Sequence, residues 1–134
     1  MFLFDTDTLS QVIRRDPPSS LLVRLAAVPP GDQFTTAITV GEMVYGAYRS
    51  DRRAYLLRQF EDRLWPFVQI LPFDRAAAGV YGELRAELER TGITLAEPDL
   101  RIAAIGLSHD LTVVTGNVAH FSRVLGLRVE NWIH

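Results

Sequence analysis

The sequence predicts an α/β protein in which a mostly parallel sheet of four to five strands is flanked by helices. Short apolar runs alternate with amphipathic segments along the chain, as in sheets whose parallel strands are joined by helical crossovers. Two of these runs, Met1–Phe4 and Leu111–Val114, lack the polar alternation of a half-exposed strand and therefore suit buried parallel strands. A chain of 134 residues, 48% of them hydrophobic, can bury one core, so we expect a single domain over residues 1–134.

The composition excludes several classes of function. The chain contains no cysteine, which rules out disulfides and thiolate chemistry and favours a reducing compartment such as the cytoplasm. No apolar run is long enough to cross a membrane. All 14 basic residues are arginine, so mechanisms that need a lysine are unavailable, although each cation can bind a phosphate in a bidentate manner. The net charge of −2 indicates that any contact with nucleic acid is local.

Turn signals and apolar spacing place the individual elements. The expected strands are Met1–Phe4, Phe34–Ile38, Phe67–Leu71, Leu111–Val114 and Leu127–Trp132, the last at an edge. The expected helices are one that contains Leu9, Val12 and Ile13, one opened by Pro17 or Pro18, one opened by Thr39–Glu42, then Ser50–Leu64, Ala76–Arg90 and one within Thr94–Ser108. Asp74 is expected to cap the Ala76–Arg90 helix, and Gly92 to end it.

Asp5 follows the first predicted strand without an intervening residue. In an open parallel sheet this position lies at the carboxyl edge, where ligands bind. The next helix needs a polar cap, and Asp7 or Thr8 can supply it, whereas Asp5 stands too early in the sequence for that role. The pattern therefore predicts a functional carboxylate at Asp5, with Asp7 as a capping or auxiliary residue.

Two further acids have both a structural and a functional interpretation. Thr39 and Glu42 have the spacing of a capping box at a helix start. Glu42 also stands just beyond the carboxyl end of the second predicted strand. Asp99 follows Pro98, which suits the first helical position, and a carboxylate there interacts with the helix dipole by about 0.3–1 kcal/mol.

Polar residues also follow the fourth predicted strand, namely Thr115 and Asn117. Because parallel strands point the same way, Asp5, Glu42 and Asn117 should share one edge, which Asp99 joins if its helix begins there. Clustered carboxylates repel one another unless a cation offsets their charge, and oxygen ligands select Mg²⁺ or Mn²⁺. Such ions activate water for phosphodiester hydrolysis. The pattern favours a metal-dependent nuclease over a carboxylate acid–base enzyme.

The segments that carry these acids also form a set of motifs in order. They read LFDTDTLS, ITVGEM, LAEPDLRIAAIGL, and TVVTGNVAHF followed by GLRVENW. Over essentially the whole length, this set resembles PIN-domain proteins of the VapC type, the toxins of type II toxin–antitoxin pairs. The resemblance implies that Asp5, Glu42 and Asp99 are the catalytic acids and the ligands of Mg²⁺ or Mn²⁺, with Thr115 and Asn117 as auxiliary residues.

Asn117 is where the sequence departs from many PIN proteins, which carry a fourth acid near this position. An asparagine can still ligate a metal through its carbonyl oxygen or hold a metal-bound water, so the number of ions, one or two, stays open. His120 follows three residues later and is expected to be a surface or hydrogen-bonded residue rather than a ligand.

The resemblance further implies an activity and partners. It implies an endoribonuclease that cuts structured RNA such as transfer RNA, forms a homodimer, and binds an inhibitory antitoxin in a hetero-oligomer. Because the net charge is negative, phosphate contacts should come from a few arginines near the acidic edge. Arg14, Arg15 and Arg101 are the candidates, since they follow the first and third acidic motifs.

Two alternatives remain at this stage. The pair Asp5-x-Asp7 after an apolar strand is also similar to the nucleophile and acid of haloacid dehalogenase-like phosphatases. That mechanism needs a later lysine, which is absent, and Thr or Val at the position of Leu9. The other alternative is a PIN-like module that binds RNA or protein with weak or no catalysis, which the three acids disfavour and Asn117 slightly favours.

Overall fold

Five parallel strands form one sheet in the order β3-β2-β1-β4-β5. The computed structural model describes all 134 residues. The strands are β1 (Phe2–Phe4), β2 (Gln33–Thr36), β3 (Gln69–Leu71), β4 (Thr112–Val114) and β5 (Val129–Glu130). Every pairing is parallel, which confirms the predicted fold class. Because β1 is central, the residue that follows it stands in the middle of the carboxyl edge.

Helices cover both faces of this sheet. They are α1 (Thr6–Val12), α2 (Ser19–Ala27), α3 (Ala37–Arg49), α4 (Arg53–Arg63), α5 (Arg75–Arg90), α6 (Glu97–Ser108) and α7 (Val118–Phe121). As predicted, Asp74 caps α5 by accepting a 2.9 Å hydrogen bond from the Ala77 amide, and Gly92, with φ of 76°, follows its end. None of the helices has the length and apolar character needed to span a membrane.

Neighbouring residues of the central strands pack on opposite faces of the sheet. Leu3 and Val113 lie in a core shared with α5 and α6, whereas Phe4 and Val114 lie in a second core shared with α1 to α4. A Cβ on Gly106 would lie 3.2 Å from Val113 and 3.3 Å from Leu3, so the glycine lets α6 approach the sheet closely. The small residue at this position of α6 therefore allows close packing of the helix on the sheet.

The second strand ends earlier than predicted, and the third helix begins earlier. Strand β2 ends at Thr36 instead of Ile38, and the Thr36 hydroxyl accepts a hydrogen bond from the Thr39 amide at 3.0 Å. Thr36 is therefore the cap of α3, and Thr39 lies inside the helix. The predicted capping box of Thr39 and Glu42 is wrong, because the chain enters the helix three residues before it.

Other boundaries shift for local reasons. Helix α4 begins at Arg53 instead of Ser50, because Ser50 ends α3 and its hydroxyl accepts from the Arg52 amide at 2.9 Å. Strand β3 begins at Gln69 instead of Phe67, since Trp65–Phe67 forms a 3₁₀ turn.

The end of the chain departs most from prediction. Strand β5 contains only Val129–Glu130 instead of Leu127–Trp132, because it pairs only with Val113 and Val114 of β4. It does lie at an edge of the sheet, as predicted. The short helix α7, between β4 and β5, was not predicted.

Candidate active site

Asp5 occupies the middle of the carboxyl edge, directly after β1. Its amide donates to the Val114 carbonyl of β4 at 3.2 Å, which extends the contact between the two central strands by one residue. Its Oδ1 atom accepts from the Thr8 amide at 2.9 Å and caps α1. The prediction that Asp7 or Thr8 caps this helix is wrong, because strand and helix are joined by Asp5 alone. Asp5 therefore has a structural role in addition to any chemical one.

The Asp5 carboxyl group is buried, with 5% of the residue exposed. Burial raises the pKa of Asp5 to about 6, and the Asp7 carboxylate adds to the increase. Hydrogen bonds from the Thr115 side chain and from Thr8 lower the pKa and offset only part of the burial effect. A cation bound beside Asp5 would stabilise the charged form of this buried carboxyl group.

Glu42 reaches the same edge from the second turn of α3. The Thr6 hydroxyl donates to Glu42 Oε1 at 2.6 Å, and Thr6 directly follows Asp5 in the chain. Because Thr36 caps α3, Glu42 has no capping role. The capping explanation for an acid at this position is thereby removed, and the bond from Thr6 places Glu42 beside the residue that follows Asp5.

Asp99 lies in the first turn of α6, as predicted. Its Oδ2 atom lies 2.9 Å from His120 Nε2, and Arg123 Nη2 lies 3.0 Å from Nδ1 of the same ring. Because a guanidinium can only donate, Nδ1 accepts, and the ring proton on Nε2 is donated to Asp99. His120 belongs to α7, which follows β4 at the carboxyl edge, so this hydrogen bond places Asp99 at that edge too. The expectation that His120 is a hydrogen-bonded residue agrees with this contact.

Strand β4 leads into Thr115, Gly116 and Asn117. The buried Thr115 hydroxyl accepts a hydrogen bond from the Asn117 amide at 2.9 Å. A Cβ at Gly116 would overlap the Asp7 carboxylate and lie 3.0 Å from the end of the Ile133 side chain, so the glycine leaves room for Asp7 to lie against this turn. The Asn117 side chain is exposed and makes no capping bond to α7. The auxiliary residues Asp7, Thr115 and Asn117 therefore border the Asp5 position.

The three predicted acids share one edge, but they do not form a preassembled metal cluster. No three Asp, Glu or His side chains converge on one point. Their present partners are the Thr8 amide for Asp5, Thr6 for Glu42 and His120 for Asp99. All three nevertheless offer carboxylate oxygens, the donors that Mg²⁺ and Mn²⁺ prefer. The residues fit the expected ion in donor chemistry, and binding it requires a local rearrangement of these side chains.

The predicted phosphate-binding arginines lie in two places. Arg14 and Arg15 line a groove between α1 and α4. Arg101 lies apart from them, with its Nε atom 3.5 Å from Glu97 Oε2 and its guanidinium over the Phe73 ring at 5.6 Å. Arg101 already has an acidic partner, whereas Arg14 and Arg15 form no ion pair with an acid.

Comparison with known proteins identifies the family. The model of the PIN domain matches residues 2–126, a range that contains every candidate site residue named above. The chain belongs to the PIN domain family. This PIN domain is 34% identical to Ribonuclease VapC2 of Haemophilus influenzae over 135 residues, which cover 98% of each chain. It is also 34% identical to tRNA(fMet)-specific endonuclease VapC of Shigella flexneri over 134 residues, or 98% of this chain and 97% of the relative.

Solved structures agree with this assignment. The PIN domain resembles the crystal structure of DNA-bound VapBC from Salmonella typhimurium with a TM-score of 0.91 and 32% identity, covering 98% of this chain and 97% of that one. The predicted resemblance to PIN-domain proteins of the VapC type is confirmed.

Sequence reasoning missed two residues of this PIN domain that orient the acids. Thr6 is the donor to Glu42, and its only sequence signal is its position directly after Asp5. Arg123 fixes the tautomer of His120, and the three-residue spacing between them is a weak signal, because many helical pairs share it.

Proposed function

We propose that this protein is a metal-dependent endoribonuclease that cuts structured RNA such as transfer RNA and acts as the toxin of a type II toxin–antitoxin pair. The observation that carries the proposal is that Asp5, Glu42 and Asp99 lie at one edge of a PIN-domain sheet. The names of its relatives support the reaction, since one is called a ribonuclease and another a tRNA(fMet)-specific endonuclease.

Asp5, Glu42 and Asp99 would hold a Mg²⁺ or Mn²⁺ ion, and Asn117, Thr115 and Asp7 would provide polar groups around it. A bound ion of this kind supplies the Lewis acidity that activates water and stabilises the leaving oxygen of a phosphodiester. Burial raises the pKa of Asp5, and a cation bound beside it would stabilise the charged form of this carboxyl group, which supports the proposal.

The remaining residues of the edge would position the acids. Thr8 fixes one oxygen of Asp5, and Thr6 and His120 bind Glu42 and Asp99. Holding reactive groups in defined orientations lowers the entropic cost of reaching the transition state. The exposed Asp7 and Asn117 leave the edge open to solvent and to a substrate strand.

The proposal extends to partners and location. The solved relatives include the VapBC complex from Salmonella typhimurium and FitAcB from Neisseria gonorrhoeae, which support an antitoxin that binds this chain in a hetero-oligomer. We also propose a homodimer, and action in the cytoplasm, where transfer RNA is found.

Cleavage of end-labelled, unfractionated bacterial transfer RNA tests the proposed reaction. The purified protein should produce discrete fragments with millimolar Mg²⁺ or Mn²⁺ and none with excess EDTA. Calorimetry provides a readout that does not depend on activity: Mn²⁺ should bind the wild type and bind Asp99→Asn much more weakly. Fragments that form equally well in EDTA would contradict the metal dependence.

The same assay separates the alternatives. RNA that is bound but never cut, with any of these metals, would favour a PIN-like binding module. Release of phosphate from a small phosphomonoester, without RNA cleavage, would favour a phosphatase of the haloacid dehalogenase type.

A further inference from the structure

A groove between the end of α1 and one side of α4 is lined by four arginines. We call this feature the arginine groove; its volume is about 690 Å³. Its principal lining residues are Ser10, Arg14, Arg15, Arg52, Tyr55 and Arg63. None of the residues that line it is acidic. A concentration of positive charge in a chain of net charge −2 indicates a local site for an anionic partner.

The charges of the arginine groove are not neutralised within the chain. No ion pair of the structure involves any of its four arginines. Arg14 donates to the uncharged Gln11 side chain at 2.7 Å, and Arg52 lies over the Tyr55 ring at 4.5 Å. Arg63 is partly structural, since it donates to the Val12 carbonyl at the end of α1 at 2.9 Å. Arg14, Arg15 and Arg52 are therefore the cations available to a ligand.

Helix α1 joins the arginine groove to the candidate active site. Its first residue, Thr6, binds Glu42, and the Ser10 hydroxyl donates back to the Thr6 carbonyl at 2.8 Å. Ser10 is one helical turn beyond Thr6, about 6 Å along the helix axis, and the last residue of α1, Val12, is about 9 Å beyond Thr6 at 1.5 Å per residue. Arg14 follows two residues after that end of the helix. The length of α1 corresponds to roughly two to three nucleotide steps of 3.4 Å along one strand. A strand cut at the acidic edge could thus continue into the groove.

Tyr55 favours a nucleic acid over an acidic peptide as the occupant. It is 48% exposed, and the Arg52 guanidinium lies over one face of its ring at 4.5 Å, so the groove contains an aromatic ring and a guanidinium plane stacked on each other. Unstacked bases pack on such faces, and the phosphates between them pair with arginine. An acidic peptide would use the charges but would gain little from the aromatic ring.

We propose that the arginine groove binds the sugar–phosphate backbone of the RNA substrate and leads it to the acidic edge. This inference rests on the proposed ribonuclease function but assigns a binding surface beyond the acids. Arg14, Arg15 and Arg52 contact phosphates, and Tyr55 stacks on a base of an unpaired segment.

A pair of matched triple variants tests this surface. The groove variant is Arg14→Gln/Arg15→Gln/Arg52→Gln, and the control is Arg58→Gln/Arg75→Gln/Arg90→Gln, whose positions are exposed and lie outside the groove. Both lower the net charge by the same amount. Binding of unfractionated transfer RNA is measured in EDTA as a function of salt, and cleavage is measured separately with Mg²⁺.

The groove variant should bind RNA roughly 100-fold more weakly at 0.1 M salt. The slope of the logarithm of its binding constant against the logarithm of salt concentration should be smaller in magnitude by about 2–3, because each of three lost phosphate contacts contributes about 0.7–0.9. The control should change little in either quantity. In cleavage, KM should rise while kcat stays near the wild-type value. The variant Arg14→Lys/Arg15→Lys/Arg52→Lys, which keeps the charges, should retain most of the salt slope.

If the groove and control variants had equal RNA affinity and equal salt slopes, the groove assignment would be overturned. The proposed function would still stand in that case, provided that the wild type cleaves transfer RNA. If the wild type neither bound nor cut transfer RNA, the groove assignment and the proposed function would both fall. Deca-glutamate serves as the probe for an acidic peptide. If the groove variant lost the binding of deca-glutamate but still bound RNA normally, the ligand of the groove would be an acidic peptide and not RNA.

Discussion

At the scale of single residues, Asp5 combines two roles that usually fall to different side chains. It caps α1 through its bond to the Thr8 amide, and it presents a buried carboxyl group at the centre of the sheet edge. An asparagine can also cap a helix but carries no charge. Substitution of Asp5 by Asn therefore separates the cap from the charge.

Asp5→Asn should raise the stability of the metal-free protein at pH 7.5. The pKa of Asp5 is about 6 in the folded protein and 3.8 ordinarily. Between pH 3.8 and about pH 6, Asp5 therefore keeps its proton in the folded protein and loses it in the unfolded chain. The stability supplied by protonated Asp5 is complete below about pH 4 and is lost as pH rises through about 6. The buried carboxylate then costs up to about 3 kcal/mol at pH 7.5.

Urea denaturation at pH 7.5 and pH 4 checks this prediction. The gain from Asp5→Asn should be present at pH 7.5 and close to zero at pH 4, whereas the exposed Asp62→Asn should change the free energy of unfolding by about 0.5 kcal/mol or less. An equal gain at both pH values, or a loss at pH 7.5, would show that burial of the charge is not the dominant effect.

His120 is expected to act as a positioning residue for Asp99. Its Nε2–H group donates to Asp99 Oδ2, and removal of such an outer partner of a metal ligand typically costs 10–100-fold in activity or metal affinity. His120→Ala should therefore reduce kcat and the affinity for Mn²⁺ by about 10–100-fold.

His120→Gln, which can still donate a hydrogen bond, should recover part of this loss. The exposed His109→Ala is the control and should behave as the wild type. If His120→Ala lost thermal stability but kept its kcat and Mn²⁺ affinity, the histidine would be structural only.

At the scale of elements, the sequence predicts where strands and helices alternate better than where each begins. The apolar run before Asp5 and the small residues of α6 are strong signals because burial on both faces leaves few alternatives. Thr36 and Thr39 are both suitable cap residues for α3, and the residue at which β2 ends decides between them. Strand β5 is short because it pairs with only two residues of β4, which no local pattern encodes.

Valine substitutions at Thr36 and Thr39 test the assignment of the α3 cap. Both substitutions remove the hydrogen bond between the two hydroxyls, which spans 3.2 Å, but only Thr36→Val removes the acceptor of the Thr39 amide. Thr36→Val should cost about 1 kcal/mol more than Thr39→Val in the free energy of unfolding. A larger loss for Thr39→Val would restore the original capping box.

At the scale of the whole molecule, parallel strands and short connections bring acids from distant motifs to one edge. The order of strands and motifs predicted a shared edge for Asp5, Glu42 and Asn117, because each follows a predicted strand. The contacts from Thr6 to Glu42 and from His120 to Asp99 span 36 and 21 residues, and they depend on how the helices pack. Such distances are set by the three-dimensional fold, so neither contact could be read from a local pattern.

The proposed homodimer is a second property at this scale. The apolar residues Leu84 and Leu88 of α5 are buried in the core, so they offer no surface to a second copy. Tyr45 and Tyr48 of α3 are instead 62% and 52% exposed, and they offer an apolar surface for a second copy. Light scattering should give twice the 15.1 kDa mass of one chain. A mass of one chain at every concentration would exclude the dimer.

Cleavage of transfer RNA by Asp99→Asn, measured beside its thermal stability in metal-free buffer, tests the central claim most directly. If Asp99 binds the ion, the variant should melt at or slightly above the wild-type temperature, because repulsion between carboxylates is relieved, while cleavage falls by orders of magnitude. If Asp99 served only the dipole of α6, the substitution would cost at most about 1 kcal/mol of stability and leave cleavage nearly unchanged. A variant that melts like the wild type and cuts RNA at a comparable rate would contradict the account.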